Sequence, residues 1–237
     1  NDADTIYGGQ GNDLIKGGNG SNTLYGDEGD DVIRGGIGTD VVSGGTGKDI
    51  ILGGAGDDHL SGNDGIDRIY GDGGSNTIDG GADNDKLFGG SDNDIIYGGT
   101  GSDLIRGGDG DNHLYGGDGV DIIRGGTGTD IIEGGFGDDN ILSFAGDDQI
   151  DGGDGNDLIL GGDGDDVLSG GAGVDKIFGQ AGNNTLNGGA GNDLLFGDIN
   201  DDVIRGGDDD DIIKGGNGSN QLFGDAGNDL IRGGNDS

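Results

Sequence analysis

A nine-residue unit repeats along the whole chain without a change of register. With U standing for Ile, Leu or Val, the unit reads G-G-x-G-x-D-x-U-x, as in residues 152–160, GGDGNDLIL. Twenty-five complete copies run from Gly8 to Arg232, and partial copies occupy both ends of the 237 residues. A fixed period of this length is typical of a repeat architecture, in which each unit packs only against its neighbours.

Each unit predicts a turn followed by a short strand. In the x-U-x segment at positions seven to nine, U points to one side of the strand and its neighbours to the other. The six Gly-rich residues before it favour a turn. Where positions two and four are not Gly, they are mostly Asp or Asn, the residues that best tolerate positive φ. We therefore expect left-handed backbone at Asp2, Asp27, Asn63, Asp72, Asp83, Asp92, Phe144, Gln180, Asp198, Asn200, Asp209, Asp225 and Asp236.

A strand and a turn must be followed by a second strand and turn before the chain returns to its start. The predicted fold is therefore all-β: a right-handed parallel β-roll, or β-solenoid, with two short parallel sheets and about 18 residues per coil. Position-eight side chains from the two sheets should meet in a thin core. Each position-six side chain should stack on the position-six side chain two repeats later. We predict a single domain over residues 1–237.

Charge makes such a fold costly in the absence of a counterion. The chain has 48 acidic and 11 basic residues, which gives a net charge of −37. Carboxylates about 5 Å apart repel by roughly 1 kcal/mol even in water. One buried aliphatic side chain per unit contributes roughly 1.5–3 kcal/mol, whereas ordering nine residues costs on the order of 9–18 kcal/mol. The metal-free chain is therefore expected to be expanded and largely disordered.

The stacked turns predict calcium sites. Asp carboxylates and Gly-exposed carbonyls form an all-oxygen ligand set that suits a hard cation, and the absence of Cys excludes thiolate sites and disulfides. Folding and metal binding should then be one event. The candidate ligands are Asp13, Asp31, Asp40, Asp49, Asp58, Asp67, Asp85, Asp94, Asp103, Asp121, Asp130, Asp139, Asp148, Asp157, Asp166, Asp175, Asp193, Asp202, Asp211 and Asp229. Weaker sites are expected where the residue is Asn, at Asn22, Asn76, Asn112, Asn184 and Asn220.

The same nonapeptide resembles the RTX, or hemolysin-type, calcium-binding repeat over essentially the whole chain. The resemblance implies calcium held between successive turns by position-six Asp and backbone carbonyls. With one ion between each pair of turns, the count is on the order of 24. It also implies a secreted, extracellular or cell-surface protein that leaves the cell unfolded through type I secretion machinery. Because the chain begins and ends within a unit, we expect it to be part of a longer protein, with an engineered array as the alternative.

Alternate repeats differ in their outward residues. When repeats are counted from Gly8, the odd-numbered repeats contain all the basic residues except Arg205. None of their outward positions is acidic. We name the outward positions seven and nine of the odd repeats the cationic face. It is either a shielded sheet surface or a docking face for a domain in cis, a second copy of the chain, or an acidic polysaccharide. Similarity to modules of bacterial alginate epimerases suggests the polysaccharide. Its candidate docking residues are Lys16, Arg34, Arg106, Arg124, Lys214 and Arg232.

No catalytic arrangement is apparent, and we interpret the chain as non-catalytic. His59 and His113 are outward residues 54 positions apart, too far to share a reaction step. No Ser lies in a recognisable triad, and no EF-hand loop is present. No apolar run is long enough for a membrane helix, and a chain this acidic is not expected to bind nucleic acid.

One stretch departs from the pattern. Residues 143–151, SFAGDDQID, lack both leading glycines. We expect either a tolerated irregularity, with Phe136 and Phe144 stacked over the core, or a weak calcium site at a boundary between cooperative blocks.

Three functions remain open from the sequence. The first is a calcium-triggered module that assists secretion and folding of an exoprotein. The second is a structural rod, adhesin spacer or self-assembling filament module. The third is an accessory module that binds acidic polysaccharide for an extracellular enzyme.

Overall fold

The structure is a computed structural model that describes residues 3–234. The described part of the chain contains strands and turns and no helix that could span a membrane. Its contacts define two compact units, Asn1–Asp118 and Gly119–Ser237. The prediction of a single domain over 1–237 stays a prediction.

The first unit holds thirteen strands. Odd-numbered strands form one parallel sheet and even-numbered strands the other. The strands are β1 Thr5–Gln10, β2 Leu14–Asn19, β3 Thr23–Glu28, β4 Val32–Ile37, β5 Val41–Thr46, β6 Ile50–Ala55, β7 His59–Asp64, β8 Arg68–Gly73, β9 Thr77–Ala82, β10 Lys86–Gly90, β11 Ile95–Thr100, β12 Leu104–Asp109 and β13 His113–Asp118.

The second unit repeats this arrangement with thirteen more strands, again split by odd and even number between two parallel sheets. The strands are β14 Ile122–Thr127, β15 Ile131–Phe136, β16 Asn140–Ala145, β17 Gln149–Asp154, β18 Leu158–Asp163, β19 Val167–Ala172, β20 Lys176–Ala181, β21 Thr185–Ala190, β22 Leu194–Phe196, β23 Val203–Asp208, β24 Ile212–Lys214, β25 Gln221–Ala226 and β26 Leu230–Arg232.

Within each unit, paired residues are one coil, or two repeats, apart. Leu24 lies beside Val42 of the next coil, and Ile150 lies beside Leu168. Alternate repeats therefore fall in opposite sheets. The predicted all-β parallel solenoid, with two sheets and two nonapeptides per coil, is confirmed.

Most strands are longer than the three residues predicted from x-U-x. Strand β3 covers six residues, and its register with β5 includes Asp27↔Gly45 and Glu28↔Thr46 as well as the x-U-x pairs. Residues at positions two and three therefore also pair with their counterparts in the next coil, although position two has positive φ. The turn itself shrinks to positions four to six.

The predicted left-handed positions are confirmed at every substituted site that the structure describes. Asp, Asn, Phe and Gln at positions two and four have φ between 63° and 80°, including Phe144 at 79° and Gln180 at 69°. A side chain in this region is strained, so the geometry of the turn is imposed by stacking on neighbouring coils. Asp2 and Asp236 lie outside the described residues.

Position-eight side chains form the core, as predicted. From Ile15 to Ile213 each of these Ile, Leu and Val residues is at most 4% exposed. Because the core has one aliphatic side chain per strand, position six forms the rest of the interior. This brings a column of Asp and Asn into a buried environment.

Candidate metal sites in the turns

Position-six side chains lie one above another along each edge of a unit. The backbone amide of Asp13 donates to Asp31 Oδ1 at 2.7 Å, and that of Asp31 donates to Asp49 Oδ1 at 2.8 Å. The same bond recurs along the second unit, as from Asp139 to Asp157 at 2.8 Å. The predicted stacking of position-six residues on their counterparts in the next coil is confirmed within each unit. One carboxylate oxygen of Asp31, Asp49 and Asp157 thus accepts a hydrogen bond from the preceding coil.

A second ladder lies at position five, and it is not among the predictions made from the sequence. The amide of Asp30 donates to Asn12 Oδ1 at 3.0 Å, and the amide of Lys48 donates to Asp30 Oδ1 at 2.9 Å. Here the acceptor belongs to the preceding coil, opposite to the direction of the position-six bonds. The frequent Asn and Asp at position five were the available signal. Together the two ladders satisfy turn amides that the sheets leave unpaired.

The second carboxylate oxygen, Oδ2, of most position-six Asp residues is buried without a hydrogen-bond partner. Each residue is itself buried or, for Asp13, half-buried. A buried polar atom without a partner costs free energy, and a charged one costs more. These residues include Asp13, Asp31, Asp40, Asp49, Asp58, Asp67, Asp85, Asp94, Asp139, Asp157, Asp166, Asp175, Asp193, Asp202 and Asp211.

A cradle of oxygens surrounds the position-one glycine of each such turn. A methyl group on Gly53 would lie 2.5 Å from Asp58 Oδ2 and 2.9 Å from the carbonyl oxygen of Gly71, one coil later. On Gly80 it would lie 2.5 Å from both Asp85 Oδ2 and the Gly98 carbonyl oxygen. A carboxylate oxygen and a carbonyl oxygen from adjacent coils therefore converge beside a residue that has no side chain.

Burial raises the pKa of several of these carboxyls. Desolvation is the largest cause, partly offset by the donated backbone amide and reinforced by neighbouring carboxylates. It raises the pKa of Asp85 to about 8 and the pKa values of Asp139 and Asp193 to about 7. The pKa of Asp49 and that of Asp58 rise to about 6. The folded turns therefore oppose ionisation unless a cation is present.

In most turns with Asn at position six, hydrogen bonds within the protein satisfy the buried side chain without a cation. Asn22 Oδ1 still accepts an amide from the preceding coil, at 3.1 Å, while its Nδ2 donates to the Gly20 carbonyl at 2.9 Å. Asn76, Asn112 and Asn184 donate to the same carbonyl of their own turns, at 2.9, 3.0 and 3.3 Å. The donor replaces the unpartnered oxygen and uses a carbonyl of the turn. Asn220 differs, because its Nδ2 is buried without a partner.

The irregular stretch has its own arrangement. Ser143, in place of the position-one glycine, is fully buried, and its hydroxyl donates to the Gly161 carbonyl. This hydroxyl also lowers the pKa of Asp148, against a larger rise from burial. A hydroxyl thus occupies this cradle. The expectation that Phe136 and Phe144 stack over the core is wrong, because they are 62% and 48% exposed.

The two edges differ in composition. Turns that precede even-numbered strands carry Asp at position six in every repeat, whereas turns that precede odd-numbered strands include all five Asn residues. The candidate metal sites are therefore continuous along one edge of each unit and interrupted along the other.

The donor set fits calcium. Unpartnered carboxylate oxygens and nearby carbonyls are hard ligands, and a divalent ion would compensate both the buried charge and the missing hydrogen bond. Among the described residues no three Asp, Glu or His side chains converge on one point. An ion in a turn would therefore take one carboxylate per coil, with backbone carbonyls and water completing its shell. Among the candidate ligands, Asp229, like Asp13, is half-buried, whereas the other candidate Asp residues are buried.

The remaining candidate residues lie on the sheet surfaces. Even-numbered strands carry the cationic face, with Lys16 on β2, Arg34 on β4 and Arg106 on β12 in the first unit. Arg124, Lys214 and Arg232 are on β14, β24 and β26 of the second. His59 and His113 begin β7 and β13, with β9 and β11 between them in the sheet. They do not form a common site.

The cradle makes a sharp prediction about glycine. Gly53→Ala should destabilise the calcium-bound chain by about 3 kcal/mol, because the new methyl group displaces Asp58 Oδ2 or the next coil. Gly73→Ala is the matched control, since its nearest contacts would be at 3.8 Å. Urea unfolding in calcium measures both. Equal stability of the two variants would contradict the crowded cradle.

Comparison with known proteins agrees with this geometry. A family model described as RTX calcium-binding nonapeptide repeat (4 copies) matches the chain from end to end, over residues 1–33, 34–69, 61–96, 88–123, 97–132, 124–159, 142–177, 160–195, 169–204 and 205–237. The fold is similar to the crystal structure of a hyperactive, Ca2+-dependent, β-helical antifreeze protein from an Antarctic bacterium. Identity is 21%, the TM-score is 0.50, and the match covers 93% of this chain and 83% of that one. No curated protein matches the chain. The chain belongs to the family of RTX calcium-binding nonapeptide repeats.

Proposed function

We propose that the chain is a non-catalytic module that folds when calcium fills its turns, and that position-six Asp residues are the ligands. The column of buried, unpartnered Oδ2 atoms carries this proposal. Burial of a carboxylate oxygen without a hydrogen-bond donor is costly unless a cation compensates its charge. Binding energy at the turns is therefore folding energy. The number of ions is below about 24, because the turns of Asn22, Asn76, Asn112 and Asn184 and the Ser143 turn are closed by internal hydrogen bonds.

The cellular role that we propose follows from calcium concentrations. Extracellular calcium sites bind at about 10⁻⁴–10⁻³ M, so such sites stay empty in the cytosol and fill outside. The chain would pass through type I secretion machinery unfolded and then fold outside the cell as one domain. Unpaired like charges, with a net charge of −37, favour the expanded state before export.

Two other functions keep support of their own. Pairing between strands of different copies could join copies of the chain into a spacer or filament. The cationic face could hold an acidic polysaccharide for an enzyme elsewhere in a longer protein. Neither explains why the interior contains a column of carboxylates.

A calcium titration tests the proposal. Far-UV circular dichroism should show a disordered chain in chelator and a cooperative gain of β-structure on adding calcium, with calorimetry counting the bound ions. Magnesium should be much less effective, because it demands a compact octahedral shell and gives up water reluctantly. Light scattering separates monomers from filaments. A chain that keeps its β-structure in chelator at neutral pH would overturn the proposal.

A further inference from the structure

The cationic face is separated from the acidic charge of the rest of the chain. Its outward positions hold nine of the 11 basic residues and no carboxylate, although the chain has 48 acidic residues. In the first unit the five cations are Lys16, Arg34, Arg68, Lys86 and Arg106. Among the described residues none of the five forms a salt bridge. The nearest acidic side chains on these strands, Asp72 and Asp109, lie towards the strand ends.

Apolar side chains fill the space between these cations. Leu14 on β2 and Ile50 on β6, both at position seven of their repeats, are 64% and 38% exposed. In the second unit Ile122, Ile212 and Leu230 are similarly exposed. Each unit thus presents a sheet surface on which apolar side chains lie among the cations.

The aromatic rings of this face are covered on their flat sides. Tyr70 and Phe88 stack with ring centres 4.8 Å apart, and the Arg106 guanidinium lies over Phe88 at 5.6 Å. In the second unit Phe178 stacks on Phe196 at 4.9 Å, and Lys214 lies over Phe196 at 4.5 Å. The stacked rings at position nine therefore leave little open face for sugar rings or nucleic-acid bases. Phe144, at position two on β16 of the same set of strands, is 48% exposed.

The face also offers few polar side chains to a hydroxyl-rich ligand. At positions seven and nine, apart from the cations and the Tyr70 hydroxyl, the one polar side chain is that of Asn140. The cations supply donors, but few side chains at these positions accept a hydrogen bond from a sugar hydroxyl. An anionic surface with apolar groups beneath it makes no such demand.

We propose that the cationic face docks on the surface of an anionic lipid bilayer. Lysine and arginine would contact phosphate and carboxylate headgroups, while the exposed Leu and Ile side chains enter the boundary with the acyl chains. The charge of the opposite sheet, about 10 Å away, is weakened by screening over about 8 Å at physiological ionic strength. The proposal rests on calcium-dependent folding in one respect, since only the folded chain gathers these cations on one face.

Sedimentation with vesicles tests this, using phosphatidylcholine vesicles with and without phosphatidylserine at one fixed calcium concentration. The variant Arg34→Gln, Arg68→Gln, Arg106→Gln removes three charges from the cationic face. The control Thr23→Glu, His59→Glu, Ile95→Glu changes the net charge equally on the opposite sheet of the same unit. Each cation near such a surface is worth about fivefold in binding. We expect at least about a tenfold loss for the first variant and little for the control.

Four outcomes would overturn the proposal. Equal losses in both variants would mean that binding follows net charge or calcium bridging. Equal binding to vesicles without phosphatidylserine, or sedimentation without vesicles, would indicate apolar adhesion or self-association. Binding to soluble polyuronate but not to vesicles would identify a polysaccharide partner. Circular dichroism of the same samples shows whether the chain is folded, so failure of lipid binding is distinguished from failure of calcium-dependent folding.

Discussion

The variant Asp31→Asn, Asp49→Asn, Asp67→Asn should fold at lower calcium than the parent chain while binding fewer ions. Each new Oδ1 would still accept the amide of the preceding coil, as Asp31 and Asp49 do now. Each new Nδ2 would donate to its own turn, as that of Asn22 does to Gly20. Removing an unpartnered buried oxygen is worth about 1–3 kcal/mol per site to the metal-free fold. Circular dichroism and calorimetric ion counting measure the two effects.

The control variant Asp30→Asn, Asp57→Asn, Asp64→Asn loses the same three charges at exposed positions. It should leave the bound-ion count unchanged and shift the calcium midpoint only slightly, through general repulsion. A second comparison, Asn22→Asp, should add calcium affinity and weaken the metal-free fold. If the exposed and buried substitutions act alike, net charge rather than the cradle governs folding.

Acid should replace calcium. The pKa of Asp85 is raised to about 8, and those of Asp139 and Asp193 to about 7, by burial in the folded chain. Because these folded values exceed the ordinary value of 3.8, protonation favours the fold. The stabilisation is fully present below the unfolded pKa and is lost as pH rises through about 6 to 8. A disordered chain in chelator at pH near 8 should therefore gain β-structure on acidification.

The measurement is circular dichroism in chelator between pH 8 and about 4.5, with light scattering because the isoelectric point is about 4.1. The transition should reverse on return to high pH. The Asp31, Asp49, Asp67 triple Asn variant should begin to fold at a higher pH, since fewer buried carboxyls need a proton. A chain that stays disordered throughout would show that proton uptake by the turns cannot stabilise the coil.

Much of this structure could be predicted from the period alone. A nine-residue unit with one aliphatic position requires two units per coil, and that sets the sheets, the core and the stacked turns. The positive φ at Phe144 and Gln180 was predictable because Gly, Asp and Asn hold the same position elsewhere. These are consequences of a repeat that admits only one register.

Details of hydrogen bonding could not be predicted in the same way. Asn22 Nδ2 donates to the Gly20 carbonyl because that carbonyl lies within reach. The spacing of residues in the sequence does not show which carbonyl will be within reach. The exposed Phe144 was misjudged because its position-two backbone directs the side chain outward, which the apolar character of Phe does not reveal. The strands are longer than predicted because pairing with adjacent coils overrides the low strand propensity of glycine.

The pairing of every second repeat also limits how such a gene could change length. Deleting one nonapeptide leaves every later turn and buried aliphatic residue in a suitable place, so the shortened chain still coils. Every later cation, however, moves to the other sheet, as Lys86 would if one repeat before it were lost. Duplications and losses in pairs of repeats preserve the sidedness of the surface, whereas an odd number divides it into two half-faces on opposite sheets.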